Sequence, residues 1–274
     1  ARVFPSSSSD AAARSPLAEH GVNVSDGEFI LAVDGVDTRS VRNFYQLLEN
    51  KADRVVTLRV NRQPAEQGAR EVRVKTIASE QDLRYTDWVQ QRRAMVDRLS
   101  GGRIGYIHVP NTAVEGSREL FKGLIAYAHK DALIIDDRYN GGGFIPDRLA
   151  ELLAREPLSY WKSRGLDPQA TPLLNHRGPK AMLINAQAGS GGDALPYYFR
   201  KLGLGPLIGT RTWGGLIGIS GNPPLADNGT ITAATFRFVD TDGKWAVEND
   251  GVAPDIEVID RPERVAAGRD PSVE

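Results

Sequence analysis

The apolar and polar positions in the N-terminal third of the chain alternate in short runs. This pattern predicts three strands and one short helix, at residues 29–33, 55–60 and 71–75 for the strands and 42–50 for the helix. Asp34-Gly35 directly follows the first strand and is typical of a tight hairpin turn. Together these elements predict a small, partly open β-barrel domain over residues 1–76.

The pattern then changes to longer segments in which strands and helices alternate. Apolar spacing predicts a helix at 83–99, which Gly101-Gly102 would end, and we interpret residues 77–100 as a connection between two domains. Beyond it the predicted strands are 104–109, 132–136 and 181–185, and the predicted helices are 115–129, 144–155 and 194–201. This alternation predicts an α/β domain over residues 101–274, with its ligand site at the carboxyl ends of the strands. Residues 230–239 predict an antiparallel addition.

Composition excludes several classes of function. Hydrophobic residues make up 41% of the 274 and charged residues 25%, and the net charge is −1, so nucleic acid and membrane partners are not expected. The absence of cysteine excludes disulfides and thiolate metal sites, and no cofactor or metal is expected. The default expectation for location is the cytoplasm. Because no methionine precedes Ala1, we expect the chain to be a piece of a longer protein.

A serine at a strand-to-helix corner is the first candidate for chemistry. Ser190 follows the predicted strand 181–185 and stands among Gly189, Gly191 and Gly192, just before the helix that begins near residue 194. At such a corner the hydroxyl is held at the end of a sheet, and unpaired N–H groups at the helix start can face a developing oxyanion. Gly-rich turns that contain serine are also common where no reaction takes place.

A second glycine-rich corner follows the neighbouring strand. In the run from Asp136 to Phe144, Asn140 precedes three consecutive glycines, which would let the backbone approach a substrate and direct an N–H group at its carbonyl. The two corners could therefore supply one oxyanion donor each. The alternative is that the glycines only permit the turn.

Four segments in order carry a family resemblance. They are Asp136-x-Arg138-x-Asn140-Gly-Gly-Gly, Ala188-Gly189-Ser190-x-Gly192-Asp193, residues 209–215 and residues 247–255. Together they resemble the tricorn proteases, a branch of the tail-specific (carboxyl-terminal processing) peptidases. Residues 15–35 resemble a PDZ domain of the type found in bacterial proteases. The resemblance implies a serine peptidase that acts on peptides, a crotonase/ClpP-like layered catalytic domain and a homo-oligomer, by family a hexamer.

The resemblance also assigns roles to single residues. It implies that Ser190 is the nucleophile, that Glu248 supports the base, and that Gly143 and Gly191 are the backbone oxyanion donors. It further implies that Asn140 and Trp161 bind substrate. Trp161 stands where the family pattern has an acidic residue, so a preference for basic side chains does not carry over. Gly215 stands where Ser–Lys relatives have their lysine, which disfavours an amine base.

The base itself is missing from the pattern. The family's histidine belongs to a Ser-His pair upstream of the PDZ domain, and no Ser-His dipeptide occurs here. None of the chain's histidines matches it; they are His20, His108, His129 and His176. We therefore expect the base to lie upstream of this chain, and the chain alone to be nearly inactive, since loss of one triad member removes most of the rate.

Two other functions remain open at this stage. A crotonase-like acyl-CoA enzyme also uses two backbone N–H groups and would need no histidine, but no acyl-CoA signature is evident. A non-catalytic scaffold could bind peptide termini through the PDZ-like part by strand addition. The missing histidine favours the scaffold, whereas the intact Ser190, Glu248 and glycine loops favour the enzyme.

Overall fold

A computed structural model describes residues 2–6 and 14–274. The chain divides into two compact units, residues 1–91 and 92–274, and the division falls within one long helix, α1 (Gln81–Ser100). The predicted domain boundaries stay a prediction. The helix ends as the glycine pair suggested, because the N–H of Gly102 donates to the Asp97 carbonyl at 2.7 Å.

The first unit contains one antiparallel sheet of four strands in the order β2-β1-β3-β4. The strands are β1 (Phe29–Val33), β2 (Val36–Asp37), β3 (Val55–Asn61) and β4 (Arg70–Lys75). Every second residue of β3 is buried, so Val56, Leu58 and Val60 face the core of this unit. The three predicted strands are confirmed. The predicted helix at 42–50 is a shorter 3-10 helix, Phe44–Leu48.

The second unit is built around a five-stranded sheet in which all neighbouring strands are parallel, in the order β11-β10-β9-β6-β5. Its strands are β5 (Ile104–His108), β6 (Ala132–Asp136), β9 (Lys180–Ile184), β10 (Leu207–Gly209) and β11 (Ile256–Glu257). A hairpin of β7 (Ser159–Trp161) and β8 (Gln169–Thr171) stands apart from this sheet. The helices are α2 (Val114–Ala126), α3 (Pro146–Leu153), α4 (Gly191–Lys201) and α5 (Pro262–Ala266).

The predicted α/β class is therefore confirmed, and the core explains it. Parallel strands are covered on both faces and read as continuous apolar runs. Leu133, Ile135, Met182 and Ile184 are all buried and pack with the helix residues Leu120, Leu195 and Phe199. The crotonase/ClpP-like form of the layers stays a prediction.

Several boundaries and one element differ from the predictions. Helix α2 ends at Ala126, so His129 lies in the turn beyond it. Helix α3 begins at Pro146, because proline suits a first helical turn. The predicted antiparallel addition at 230–239 forms no strand: that region is mostly exposed and contributes only the isolated antiparallel bridges Gly218–Phe236 and Val239–Trp245. Across the part of the chain that the structure describes, no helix is both long and apolar enough to cross a membrane.

Candidate active site

Two strand-to-helix corners stand side by side at the carboxyl edge of the sheet. One runs from β6 through residues 137–145 into α3, and the other runs from β9 through residues 185–190 into α4. Strands β6 and β9 are paired, with Asp136 opposite Leu183 near their ends. The N–H of Gly189 donates to the Asn140 carbonyl at 3.1 Å, which joins the two corners directly.

Ser190 is exposed and holds a backbone conformation that non-glycine residues rarely adopt. Its φ is 55° and its ψ is −117°, at the position that caps the N-terminus of α4. Its carbonyl accepts from the N–H groups of Asp193 and Ala194, and its own N–H donates to the Gly215 carbonyl at 3.0 Å. Backbone bonds on both sides therefore keep the strained residue in place, and its hydroxyl has no hydrogen bond within residues 2–6 and 14–274.

The Gly141–Gly143 turn lies against Ser190. A Cβ atom added to Gly142 would lie 2.7 Å from the Ser190 Cβ and 3.2 Å from the Gly191 nitrogen. One added to Gly191 would lie 2.9 Å from the Gly143 nitrogen. Among the described residues, neither the Gly143 N–H nor the Gly191 N–H has an acceptor. The structure thus brings together the two amides that the sequence singled out, next to the serine, and leaves both free to donate.

Asn140 is fully buried and shapes this turn from within. Its amide nitrogen donates to Asp137 Oδ1 at 2.8 Å, and its amide oxygen accepts from the Gly142 N–H at 2.8 Å. Both ends of the side chain are thus used inside the corner. The substrate-binding role of Asn140 stays a prediction, and in this structure its side chain holds the backbone of the glycine turn.

A buried ion-pair network supports the same corner from below. Arg138 binds Asp136 through two guanidinium nitrogens and also binds Asp260 and Asp270, while Arg92 binds Asp270 at 2.9 Å. Burial alone would raise the pKa of Asp136, but the charge and hydrogen bonds of Arg138 outweigh burial and lower it. Arg138 therefore keeps Asp136 ionised, and the network fixes the start of the glycine turn.

Two further buried carboxylates flank Asn140. Burial raises the pKa of Asp137 well above its usual range, and the nearby charge of Asp136 adds to the effect. Burial also raises the pKa of Asp193, although bonds from Thr212 and from backbone N–H groups oppose the shift. Asp137 Oδ2 and Asp193 Oδ2 are buried with no hydrogen-bond partner among the described residues.

Asp193 connects a third loop to the corner that carries Ser190. Its Oδ1 accepts from the Thr212 hydroxyl at 2.5 Å and from the Gly214 N–H at 2.7 Å. The Thr212 oxygen in turn accepts from the Val252 N–H at 2.8 Å. The only local signal for this role is that Asp193 is an acidic residue in the first turn of a helix.

Glu248 is half-buried and holds the far part of the same loop. Its Oε2 accepts from the Leu216 N–H at 2.7 Å and the Ile217 N–H at 2.6 Å, and Gly215 just before them accepts from Ser190. Its Oε1 has no hydrogen bond to any residue that the structure describes. The carboxylate is thus anchored through one oxygen, one loop away from Ser190.

Among the described residues of the second unit, no histidine forms a hydrogen bond with Ser190. His108 is buried at the end of β5, where its Nε2 lies 2.9 Å from the Arg138 carbonyl, and burial lowers its pKa. His176 is also buried, with Nε2 3.0 Å from the Lys130 carbonyl and a pKa lowered by burial. His20 and His129 are exposed, and His20 belongs to the first unit. The imidazole rings of His108 and His176 are thus each hydrogen-bonded to a backbone carbonyl.

The remaining predicted site residue, Trp161, lies on the hairpin formed by β7 and β8. Its side chain is exposed, as is that of Tyr160 beside it. Its role in substrate binding stays a prediction. Within the described residues, no group of three or more acidic, histidine or cysteine side chains could hold a metal ion.

A strained, exposed serine at a strand-to-helix corner, with free glycine amides beside it, is the arrangement in which serine hydrolases hold their nucleophile and backbone oxyanion donors. Comparison with known proteins identifies the family. The model of peptidase family S41 matches residues 103–258, and the model of the tricorn protease PDZ domain matches residues 1–79. The chain therefore belongs to peptidase family S41.

Curated relatives and a solved structure support the same family. Over all of this chain, it is 41% identical to tricorn protease homolog 1 of Streptomyces coelicolor and 33% identical to the tricorn protease of Thermoplasma acidophilum. A crystal structure of the tricorn protease superposes on the whole chain with a TM-score of 0.90 and 33% identity. The chain covers 26% and 25% of the two curated relatives and 26% of the solved chain, so it spans about a quarter of their length.

Proposed function

We propose that this chain is the catalytic part of a serine peptidase and that Ser190 is its nucleophile. The observation that carries the proposal is the convergence of a strained, exposed serine with two unpaired glycine amides from two different corners. Ser190 Oγ would attack the carbonyl carbon of a peptide bond. Gly143 and Gly191 would donate to the oxygen as its negative charge develops, which is the effect that such preorganised donors supply.

The proton from Ser190 needs a base. A histidine outside these 274 residues would accept it and return it to the departing amine, after which water would release the acyl group by the reverse steps. The free Oε1 of Glu248 supports a role in orienting such a base, because its other oxygen already fixes the carboxylate. Neither buried histidine suits the role, since neither has a hydrogen bond to Ser190 and burial lowers the pKa of each imidazole, which disfavours its protonated form.

The finer parts of the proposal follow from the family. Peptides are the substrate class, and Trp161 would line the primary pocket. A homo-oligomer, by resemblance a hexamer, and a cytoplasmic location are proposed on the same ground.

Covalent labelling tests the proposal. The longer protein that contains this chain should react with a fluorophosphonate at Ser190, and the Ser190→Ala variant should lose all of that label. Ser163, which is exposed on the hairpin, provides the control: Ser163→Ala should label normally. Label that persists after Ser190→Ala would exclude Ser190 as nucleophile. A folded protein that takes up no label would favour the non-catalytic scaffold.

A further inference from the structure

The Trp213 side chain lies against the backbone on both sides of Ser190. A Cβ added to Gly189 would lie 2.5 Å from Trp213 Cε3, and one added to Gly215 would lie 2.5 Å from the same carbon. The indole therefore occupies the space that both glycines leave open. Gly189 precedes Ser190 in the chain, and the Gly215 carbonyl accepts from the Ser190 N–H.

The loop that carries Trp213 is firmly held. The Trp213 N–H donates to the Ala188 carbonyl at 2.9 Å, and the neighbouring Thr212 is buried against Asp193. Trp213 nevertheless remains 68% exposed. A large aromatic ring that a fixed backbone keeps exposed to solvent is typical of a binding surface. At such surfaces tryptophan contributes more to the binding free energy than most residues do.

The chemistry around the ring points to an apolar ligand. Phe144 directly follows Gly143 on the opposite corner and is 79% exposed, so an exposed aromatic residue belongs to each of the two corners. The charges nearest in sequence are already paired: Arg211 binds Asp250, and Glu248 accepts from two N–H groups. The remaining oxygen of Glu248, Oε1, is the one proposed to orient the base, and Asp250 is paired with Arg211, so neither carboxylate is left for a cationic side chain of the ligand.

We propose that Trp213 forms one wall of a substrate subsite that accepts an aromatic or large apolar side chain close to the scissile bond. This inference rests on the proposed peptidase function and adds a specificity-determining residue to it. Nothing in the proposed reaction of Ser190 itself requires the indole.

Peptide binding tests the inference. In the Ser190→Ala background, three peptides with blocked ends should be compared by calorimetry, identical except for Phe, Lys or Gly at one central position. The Phe peptide should bind most tightly. Trp213→Ala should weaken it about tenfold, which is the size of one lost aromatic contact, and should leave the Gly peptide unchanged. Trp213→Phe should retain most of the affinity.

Phe121→Ala is the control for this experiment. It removes another exposed aromatic side chain, on α2, and should leave the affinity for all three peptides unchanged. The inference is wrong if Trp213→Ala weakens all three peptides equally or none, if the Lys peptide binds best, or if no peptide binds. Fluorophosphonate labelling of the unchanged protein separates this from failure of the proposed function, because label at Ser190 shows a reactive serine whether or not Trp213 binds the Phe side chain. Absence of label in the unchanged protein counts against the peptidase, whatever the peptides do.

Discussion

The two corners at the carboxyl edge of the sheet share one topology but are stabilised in different ways. The corner after β6 is fixed by its own side chains: Arg138 binds three carboxylates, and Asn140 uses both ends of its amide. The corner after β9 carries Ser190, whose hydroxyl is unbonded among the described residues and whose backbone is strained. The Ser190 corner is therefore held by hydrogen bonds to a neighbouring loop, through Gly215 and Asp193.

The difference indicates a division of labour. A side chain that is fully hydrogen-bonded is not available for reaction, whereas the Ser190 hydroxyl is. The strained backbone of Ser190 is stabilised by hydrogen bonds from the surrounding structure. Substitutions in the first corner should thus lower stability, whereas those at the contact between corners should lower reactivity.

The largest effect on stability is expected from Arg138→Met. It leaves Asp136 buried without a cationic partner and Asp270 with Arg92 alone, and loss of one member of a buried ion pair costs about 3–5 kcal/mol. Urea unfolding measures this loss. The control Arg200→Ala breaks the exposed pair with Asp255 and should cost less than about 1 kcal/mol. If the two variants lose the same free energy of unfolding, the buried network does not stabilise the first corner as described.

The next largest effect is expected on reactivity, from Gly191→Ala. The new Cβ would collide with Thr112 Oγ1 and lie 2.5 Å from the Gly143 carbonyl oxygen, which would push the two proposed donors apart. Loss of one donor typically lowers the rate by about 10²–10³, and the rate of Ser190 labelling measures it. Gly141→Ala is the control in the same turn, since its nearest neighbour lies 4.0 Å away. If both variants label at the same rate, the amides do not act together.

A smaller effect is expected from Thr212→Val, which keeps the shape of the side chain. It removes the donor to Asp193 and the acceptor for the Val252 N–H, both buried. Loss of buried hydrogen bonds of this kind costs about 1–3 kcal/mol, measurable by urea unfolding. The rate of Ser190 labelling should also fall, because the loop holds Gly215. Normal labelling in a destabilised variant would show that Asp193 and Thr212 serve only stability.

The smallest effect is expected from Asp137→Asn, and it should depend on pH. Because burial raises the pKa of Asp137 in the folded chain above the unfolded value, the folded state binds more protons between the two pKa values. The contribution of Asp137 to stability is therefore present in acid and is lost as pH rises through that range. The variant should be at least as stable as the original at pH 8, and its advantage should disappear near pH 4. A constant difference from pH 4 to pH 8 would mean that Asp137 does not titrate there.

The sequence predicted the parts of this arrangement that depend on local pattern. The apolar runs of β6 and β9 and the glycines after them were sufficient to place Ser190 and the Gly141–Gly143 turn at one edge of a parallel sheet. Strands β10 and β11 were missed because two or three residues carry no readable period.

The contacts between distant segments had no local signal. Asp193 and Thr212 are brought together only by the folded loops, as are Arg138 and Asp270. The direction of the Asn140 side chain was also not readable, since the same residue suits a pocket wall or a buried turn. The side chain is buried and donates to Asp137, and neither fact has a signal in the sequence.

The most direct test of the whole account is peptide hydrolysis by residues 1–274 alone and by the longer protein, each compared with variants in which one histidine is replaced by glutamine. The account predicts no appreciable turnover by the chain alone, and clear turnover by the longer protein that survives replacement of His20, His108, His129 or His176. It would be contradicted if the chain alone cleaved peptides and His108→Gln or His176→Gln, while still folded, abolished that cleavage, because the base would then lie within these residues.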